Sequence, residues 1–285
     1  AMAAILRSDH PETFRPCCGP RGTVFSAHPL HGLPACESVR WLGLPRHPSR
    51  RFGFSGTTPH STHTVVGKDS APGIVVLQEW WGVDFEVKNH ALKISQMDTG
   101  FKALIPDLYR GKVGLDVAEA QHLMDGLDWQ GAVKDIRASV NWLKTNGSQK
   151  VGVTGFCMGG ALSIASSVLI PEVDAVVSFY GVPSPELADT ARAKAPVQAH
   201  FGELDDGVGF SDVTTAKSLE EKLKGAGIPY EVHIYPGNGH AFMNRSREGV
   251  ERRKSMGLRD EDEGAVQLAW SRFGSWMTRF LLHSH

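Results

Sequence analysis

The segment from Gly155 to Gly159 constrains the fold more than any other part of this chain. It has the pattern Gly-Phe-Cys-Met-Gly, with the strand-like run Lys150 to Thr154 before it and the helix-like, small-residue stretch Ala161 to Val168 after it. A strand, a tight turn and a helix in this order form a nucleophile elbow, in which glycines let the strand and the helix approach closely. The pattern therefore predicts that Cys157 is a nucleophile exposed at a sheet edge.

The alternative is that Cys157 is a small buried apolar residue, as free cysteines usually are. In hydrolases built on this elbow, an acid and then a histidine follow the nucleophile along the chain. Here the strand-like run Val197 to Phe201 leads into a loop with Asp205, and Tyr230 to Tyr235 leads into a glycine-rich loop with His240. A loop carboxylate can hold the tautomer of an imidazole that serves as the base. This order of residues favours the catalytic interpretation.

The choice of acid and of histidine leaves alternatives open. Asp205 has a neighbour, Asp206, and either carboxylate could instead cap a turn or the following helix. Of the thirteen histidines, His200 and His233 lie within predicted strands, which indicates structural roles for both. His240 is the histidine that stands in a loop after the elbow, where a rigid scaffold can present it.

An acidic residue and two tryptophans follow the apolar run Ile74 to Leu77, which has the composition of a buried parallel strand. Glu79, near the carboxyl end of that strand, is either a site residue or a solvated loop residue. Trp80 and Trp81 either form an apolar wall of the pocket or belong to the ordinary core.

Four segments occur together in one order along the chain: Val75 to Gly82, Gly155 to Gly160, His200 to Asp205 and Gly239 to Phe242. They resemble the dienelactone hydrolase family, also called carboxymethylenebutenolidases, and the resemblance extends over about residues 67–282. It implies an α/β-hydrolase fold with Cys157, Asp205 and His240 as the catalytic triad.

The resemblance also implies that the backbone amides of Trp80 and Met158 form the oxyanion hole, and that Glu79 helps to govern the ionisation of Cys157. Physical chemistry is consistent with these roles. Little of a free thiol is thiolate at neutral pH unless an imidazole or a helix N-terminus favours the anion, and both are expected here. The unpaired amides that open the helix at Met158 can also stabilise a developing oxyanion.

Recognition of the substrate is where the chain departs from the family pattern. The family binds the carboxylate of its lactone with arginines, which suggests Arg110 or Arg245 here, with Tyr109 and Trp81 beside them. However, Asn244 stands where the bacterial members that degrade aromatic compounds have an arginine, and the segment around Tyr109 is one residue shorter. Binding of an anionic lactone therefore depends on whether either arginine reaches the pocket.

These features predict a cofactor-free hydrolase of a small-molecule ester or lactone, with a thioester acyl-enzyme on the cysteine. The resemblance implies a dienelactone that is opened to an oxo-dienoic acid such as maleylacetate. A second candidate is a broader carboxylesterase or thioesterase for small apolar acyl groups. A third, from another class, is a non-catalytic sensor that keeps the pocket for ligand binding.

Alternation of strands and helices predicts one α/β-hydrolase domain over residues 63–285, with a doubly wound, mostly parallel sheet and helices on both faces. Strands are expected to start near residues 74, 102, 150, 174, 197 and 230, and helical patterns cover residues 117–146, 212–227 and 262–282. The catalytic loops of such a sheet gather at its carboxyl edge.

Charge and composition exclude several classes of function. The net charge of -1 argues against nucleic acid as a partner, and no run of apolar residues is long enough to predict a membrane-spanning helix. Four cysteines in this arrangement do not resemble a disulfide framework, which points to a reducing compartment. The oligomeric state, monomer or homodimer, stays open.

Residues 1–62 differ in kind, with seven arginines and no lysine. This composition is typical of an organellar transit peptide, and a chloroplast precursor is the leading interpretation; an extension packed on the domain is the alternative. Five residues there could in principle bind zinc: Cys17, Cys18, His28, His31 and Cys36. Their spacing matches no standard zinc motif, so no metal site is predicted.

Overall fold

The computed structural model describes residues 63–98, 100–258 and 262–282. Its strands are β1 (His63–Val66), β2 (Gly73–Leu77), β3 (Lys102–Pro106), β4 (Val151–Phe156), β5 (Ala175–Phe179), β6 (Val197–Gly202) and β7 (Tyr230–Tyr235). Its helices are α1 (Phe85–Ser95), α2 (Val117–Asp125), α3 (Trp129–Thr145), α4 (Met158–Leu169), α5 (Val213–Ala226), α6 (Arg247–Ser255) and α7 (Glu263–Leu282). The predicted leader, residues 1–62, with its cysteines and histidines, lies outside the described residues.

The strands form one sheet in the order β1-β3-β2-β4-β5-β6-β7. Strands β2 to β7 pair in parallel, and β1 pairs with β3 in the antiparallel direction. The order reverses after β3, so the chain winds outward first in one direction and then in the other. This arrangement confirms the predicted α/β-hydrolase fold with a mostly parallel sheet.

Helices cover both faces of the sheet, because residues along each strand alternate between two apolar cores. Val75 and Leu77 of β2 belong to the core under α3, α4 and α5. Ile74 and Val76 belong to the core under α1 and α7. Burial on both faces explains why these strands are almost continuously apolar in sequence.

The six predicted strands begin within one residue of their expected starts. The helical stretch 117–146 divides into α2 and α3 because Asp128 starts a new helix, accepting a hydrogen bond from the Gly131 amide at 2.9 Å. Strand β1 and helices α1 and α6 were not predicted. Of the described helices, none combines the length and apolar character needed to cross a bilayer.

Candidate active site

Parallel strands bring four of the predicted site residues to one edge of the sheet. Glu79 follows β2, Cys157 follows β4, Asp205 follows β6 and His240 follows β7. All four lie beyond the carboxyl ends of their strands, where ligands bind in open α/β sheets. The topology therefore collects residues that are distant in sequence into one region.

Cys157 occupies the turn between β4 and α4, as predicted. Its backbone has φ 55° and ψ -116°, a conformation that side-chain-bearing residues rarely adopt and that is often found at functional sites. The thiol is free and half-buried. A Cβ at Gly159 would lie 2.6 Å from the carbonyl oxygens of Leu77 and Gln78, so only glycine lets the start of α4 pack on the end of β2. This close approach brings Glu79 and Trp80 to the elbow.

Asp205 and His240 form a hydrogen-bonded pair. His240 Nδ1 lies 2.6 Å from Asp205 Oδ2, and the other carboxylate oxygen accepts from the Gly207 amide at 3.0 Å and from Ser211 Oγ at 2.7 Å. The neighbouring Asp206 is exposed. Of the two candidate acids, Asp205 is therefore the one that faces the histidine, and its orientation is fixed from three sides.

The His240 imidazole also lies near the Cys157 thiol. Burial disfavours the imidazolium ion, but the charges of Asp205 and then Cys157 favour it more strongly, and the pKa of His240 is raised well above its ordinary value. An imidazole that carries a proton beside a thiol stabilises the thiolate form of that thiol. The geometry therefore places an imidazole between a carboxylate and a thiol, the arrangement that nucleophilic catalysis requires.

Glu79 is a buried carboxyl group, only 8% exposed, and not a solvated loop residue. Asn244 Nδ2 donates to its Oε2 at 2.8 Å. Burial raises the pKa of Glu79 to about 7; the hydrogen bond from Asn244 opposes this rise, and the charge of Asp84 adds to it. Glu79 therefore exchanges a proton near neutral pH, at the same edge of the sheet as the candidate nucleophile.

Because the pKa of Glu79 is raised in the folded protein, its ionisation destabilises the folded state increasingly as the pH rises. The unfolded chain releases this proton near pH 4.5 and the folded chain near pH 7, so stability is lost as the pH rises between these values. We expect Glu79→Gln to raise the free energy of unfolding by up to about 3 kcal/mol near pH 8 and to change it little near pH 4.

Denaturant unfolding of both proteins at the two pH values measures this difference. Glu221→Gln, at an exposed position on α5, is the matched control and should change stability little at either pH. An equal effect of Glu79→Gln at both pH values would contradict the raised pKa.

The predicted oxyanion hole consists of the amides of Trp80 and Met158. Within the described part of the chain, neither amide donates a hydrogen bond to another group, and Met158 is the first residue of α4. Both amides are thus available to an oxyanion. Their role stays a prediction.

Of the predicted aromatic residues of the pocket, Tyr109 contacts the elbow. The Tyr109 hydroxyl donates to Met158 Sδ at 3.4 Å, and its pKa is raised by burial first and by the charge of Cys157 second. Trp80 and Trp81 pack edge to face at 5.2 Å, and the Arg252 guanidinium stacks 4.2 Å from the Trp81 ring. The tryptophans therefore pack on each other and under a charged side chain, and their role as a wall of the pocket stays a prediction.

The two arginines predicted to bind a substrate carboxylate already have carboxylate partners. Arg110 forms an ion pair with Asp135 at 2.6 Å, and Arg245 forms one with Glu263 at 2.8 Å. Both guanidinium groups are partly exposed. Their role in substrate binding stays a prediction, and each would have to share its charge with an existing partner.

Two residues at this edge were not predicted from the sequence. Ser211 is fully buried, and its hydroxyl holds Asp205 and lies 3.3 Å from His240 Nδ1. Tyr180 directly follows β5, and its ring packs 5.0 Å from that of His240. The position of an aromatic residue at the end of a predicted strand was the available signal for Tyr180; no pattern singles out Ser211.

The described residues offer no cluster of three or more His, Cys, Asp or Glu side chains that could hold a metal ion. The side chains at the elbow are instead paired with one another.

Comparisons with known proteins show what this chain is similar to. The model of the dienelactone hydrolase family matches residues 62–281. Protein usf of Aquifex pyrophilus is 34% identical over 193 residues, which cover 64% of this chain and 81% of the relative. The carboxymethylenebutenolidase of Pseudomonas putida is 30% identical over 207 residues, 67% of this chain and 84% of the relative. A crystal structure from Klebsiella pneumoniae, described as a candidate dienelactone hydrolase, superimposes with a TM-score of 0.67 over 80% of this chain and 97% of that chain, at 20% identity.

Proposed function

Since this chain belongs to the dienelactone hydrolase family and is a hydrolase of esters or lactones, we propose that it acts through an acyl-enzyme on Cys157. The observation that carries the proposal is that His240, whose Nδ1 lies 2.6 Å from Asp205 Oδ2, also lies near the Cys157 thiol. A nucleophile, a base and a group that orients the base are the parts that covalent acyl transfer requires.

In the proposed reaction, His240 takes the thiol proton and the sulfur attacks the carbonyl carbon of the substrate. The amides of Trp80 and Met158 stabilise the oxyanion, and one such donor is worth roughly 3 kcal/mol of barrier in a comparable enzyme. His240 then protonates the leaving oxygen, and water hydrolyses the thioester. As the family resemblance implies, Glu79, whose pKa is about 7, helps to govern the ionisation of the thiol. These steps use no cofactor.

Two classes of substrate fit the proposed reaction. The resemblance to the family favours a dienelactone, which carries a carboxylate and would yield an oxo-dienoic acid such as maleylacetate. The ion pairs of Arg110 and Arg245 favour the second candidate, a carboxylesterase or thioesterase for neutral acyl groups. A buried acidic residue at the same edge of the sheet, Glu79, also disfavours an anion there.

We expect the neutral substrate class to prevail in a direct comparison. The value of kcat/KM for p-nitrophenyl acetate should exceed that for p-nitrophenyl hemisuccinate, which adds a carboxylate to a similar ester, by roughly tenfold or more. Both esters release p-nitrophenol, so its release under steady-state conditions measures the two kcat/KM values by one assay.

Arginine variants separate the two candidates. If Arg110 or Arg245 binds a substrate carboxylate, Arg110→Gln or Arg245→Gln will lower kcat/KM for the hemisuccinate and spare the acetate. If the wild type instead hydrolyses the hemisuccinate faster than the acetate, and either arginine variant loses this preference, the substrate class is the anionic one. No turnover and no burst on either ester would favour the non-catalytic sensor.

A further inference from the structure

Tyr180 has an unusual backbone conformation that the proposed steps leave unexplained. Its φ is 41°, a left-handed value that is rare for a bulky residue, and its side chain is fully buried. The Tyr180 amide donates to the His200 carbonyl oxygen at 2.8 Å, and the Cys157 amide donates to the Phe179 carbonyl oxygen at 3.0 Å. The backbone around Tyr180 is therefore fixed between β6 and the elbow, and the strain is retained at the candidate site.

The Tyr180 hydroxyl lies close to both Glu79 and Cys157. Burial raises the pKa of Tyr180 well above its ordinary value, and the charges of Glu79 and Cys157 raise it further, so the phenol keeps its proton. Its hydroxyl meets hydrogen-bond geometry with none of the described groups, and neither does Glu79 Oε1. The Tyr180 hydroxyl points toward the Glu79 carboxylate, yet neither atom makes a well-formed hydrogen bond with a described group. Two neighbouring buried polar atoms that are poorly paired are costly unless they also serve a ligand or a water molecule.

The Tyr180 hydroxyl and Glu79 Oε1 together offer one hydrogen-bond donor and one acceptor, which one small molecule can use at the same time. Asn244 Nδ2 engages Glu79 Oε2, so Oε1 is the carboxylate oxygen that stays available as an acceptor. The Tyr180 hydroxyl supplies a donor. A water molecule can accept from a phenol and donate to a carboxylate at the same time.

We propose that Tyr180 and Glu79 bind the water molecule that hydrolyses the acyl thioester on Cys157, an inference that rests on the proposed function. The water oxygen bonds to the acyl carbon while one of its protons passes to Glu79. The tetrahedral oxyanion then collapses, the carbon–sulfur bond breaks, and the thiolate of Cys157 leaves. The acid product gives its proton to His240 and departs as a carboxylate, and Glu79 releases its proton to solvent. A carboxyl group that titrates near neutral pH suits this transfer.

The test separates deacylation from acylation in Tyr180→Phe, which removes only the hydroxyl. Excess enzyme is mixed with p-nitrophenyl acetate, p-nitrophenol release reports acylation, and quenched peptide mass spectrometry follows the acetyl group on Cys157. We expect Tyr180→Phe to acylate within about twofold of the wild-type rate and to lose the acetyl group roughly tenfold more slowly. Glu79→Gln should also slow this loss.

Tyr235→Phe is the matched control, because it removes a buried tyrosine hydroxyl that bonds His200 Nδ1 at 2.8 Å rather than facing the thiol. Its acetyl group should decay at the wild-type rate. If the acetyl group is lost at the same rate from Tyr180→Phe and from the wild type, the water site is overturned but the thioester mechanism stands. The same holds if Tyr180→Phe slows acylation and deacylation by the same factor. A wild type that forms no acetyl-Cys157 would overturn the thioester mechanism and this proposal together.

Discussion

Replacing Cys157 with alanine will lower kcat/KM for an activated ester by roughly 10⁴-fold or more. Without the sulfur, no thioester forms, and hydrolysis depends on the remaining binding groups and on the Trp80 and Met158 amides alone. Residual activity from such groups is real but small in hydrolases that lose their nucleophile. Steady-state release of p-nitrophenol from p-nitrophenyl acetate measures the loss.

Two controls distinguish a lost nucleophile from a damaged fold. The midpoint of thermal unfolding of Cys157→Ala should stay near that of the wild type, since the side chain is half-buried and caps no helix by a hydrogen bond. Alkylation of the wild type at this thiol should cause a comparable loss. An alanine variant that is folded and keeps more than about a tenth of the activity would contradict covalent catalysis by Cys157.

Replacing Asp205 with asparagine will lower kcat/KM by roughly 10³- to 10⁴-fold. An amide at this position removes the charge that raises the pKa of His240 and no longer enforces the tautomer that accepts the thiol proton. The pKa of His240 should therefore fall, and the double variant with Cys157→Ala should be no less active than Cys157→Ala alone, because the two residues act as a unit.

Asp206→Asn is the matched control for this prediction, because its side chain is exposed and adjacent in sequence. It should keep activity within about twofold of the wild type. Similar losses in Asp205→Asn and Asp206→Asn would mean that the loop as a whole, and not the carboxylate that faces His240, is what matters.

Much of the fold could be predicted because the sheet is buried on both faces. Strands such as β2 and β4 are therefore short apolar runs with polar or glycine-rich ends, and their starts could be read to within one residue. The elbow was predictable for a related reason, since a strand, a glycine-flanked turn and a small-residue helix are all local features. Helix α6 has little apolar character, so no periodic pattern marked it.

The parts of the candidate site that depend on the order of residues along the chain could be predicted. The parts that depend on which side chains contact each other could not. The order of Cys157, Asp205 and His240 follows from topology. The choice of Asp205 over Asp206 depends on hydrogen bonds from Gly207 and Ser211, which only the folded loop supplies.

Partners from distant segments are the main reason that the rest could not be predicted. Asn244 binds Glu79 across 165 residues of sequence, and Arg110 on the loop after β3 is paired with Asp135 on α3. Burial of Glu79, and hence its raised pKa, depends on this packing as well. A sequence pattern gives the residue types at such positions but not the contacts that set their charge.

The most direct test of the account is to trap the acyl-enzyme and locate the acyl group. The wild-type protein is mixed with p-nitrophenyl acetate, quenched in acid during the burst, digested and analysed by peptide mass spectrometry. We expect one acetyl group, on Cys157, that appears with the first equivalent of p-nitrophenol and disappears as turnover ends. Turnover with no adduct on Cys157, or with the acetyl group on another residue, would contradict it.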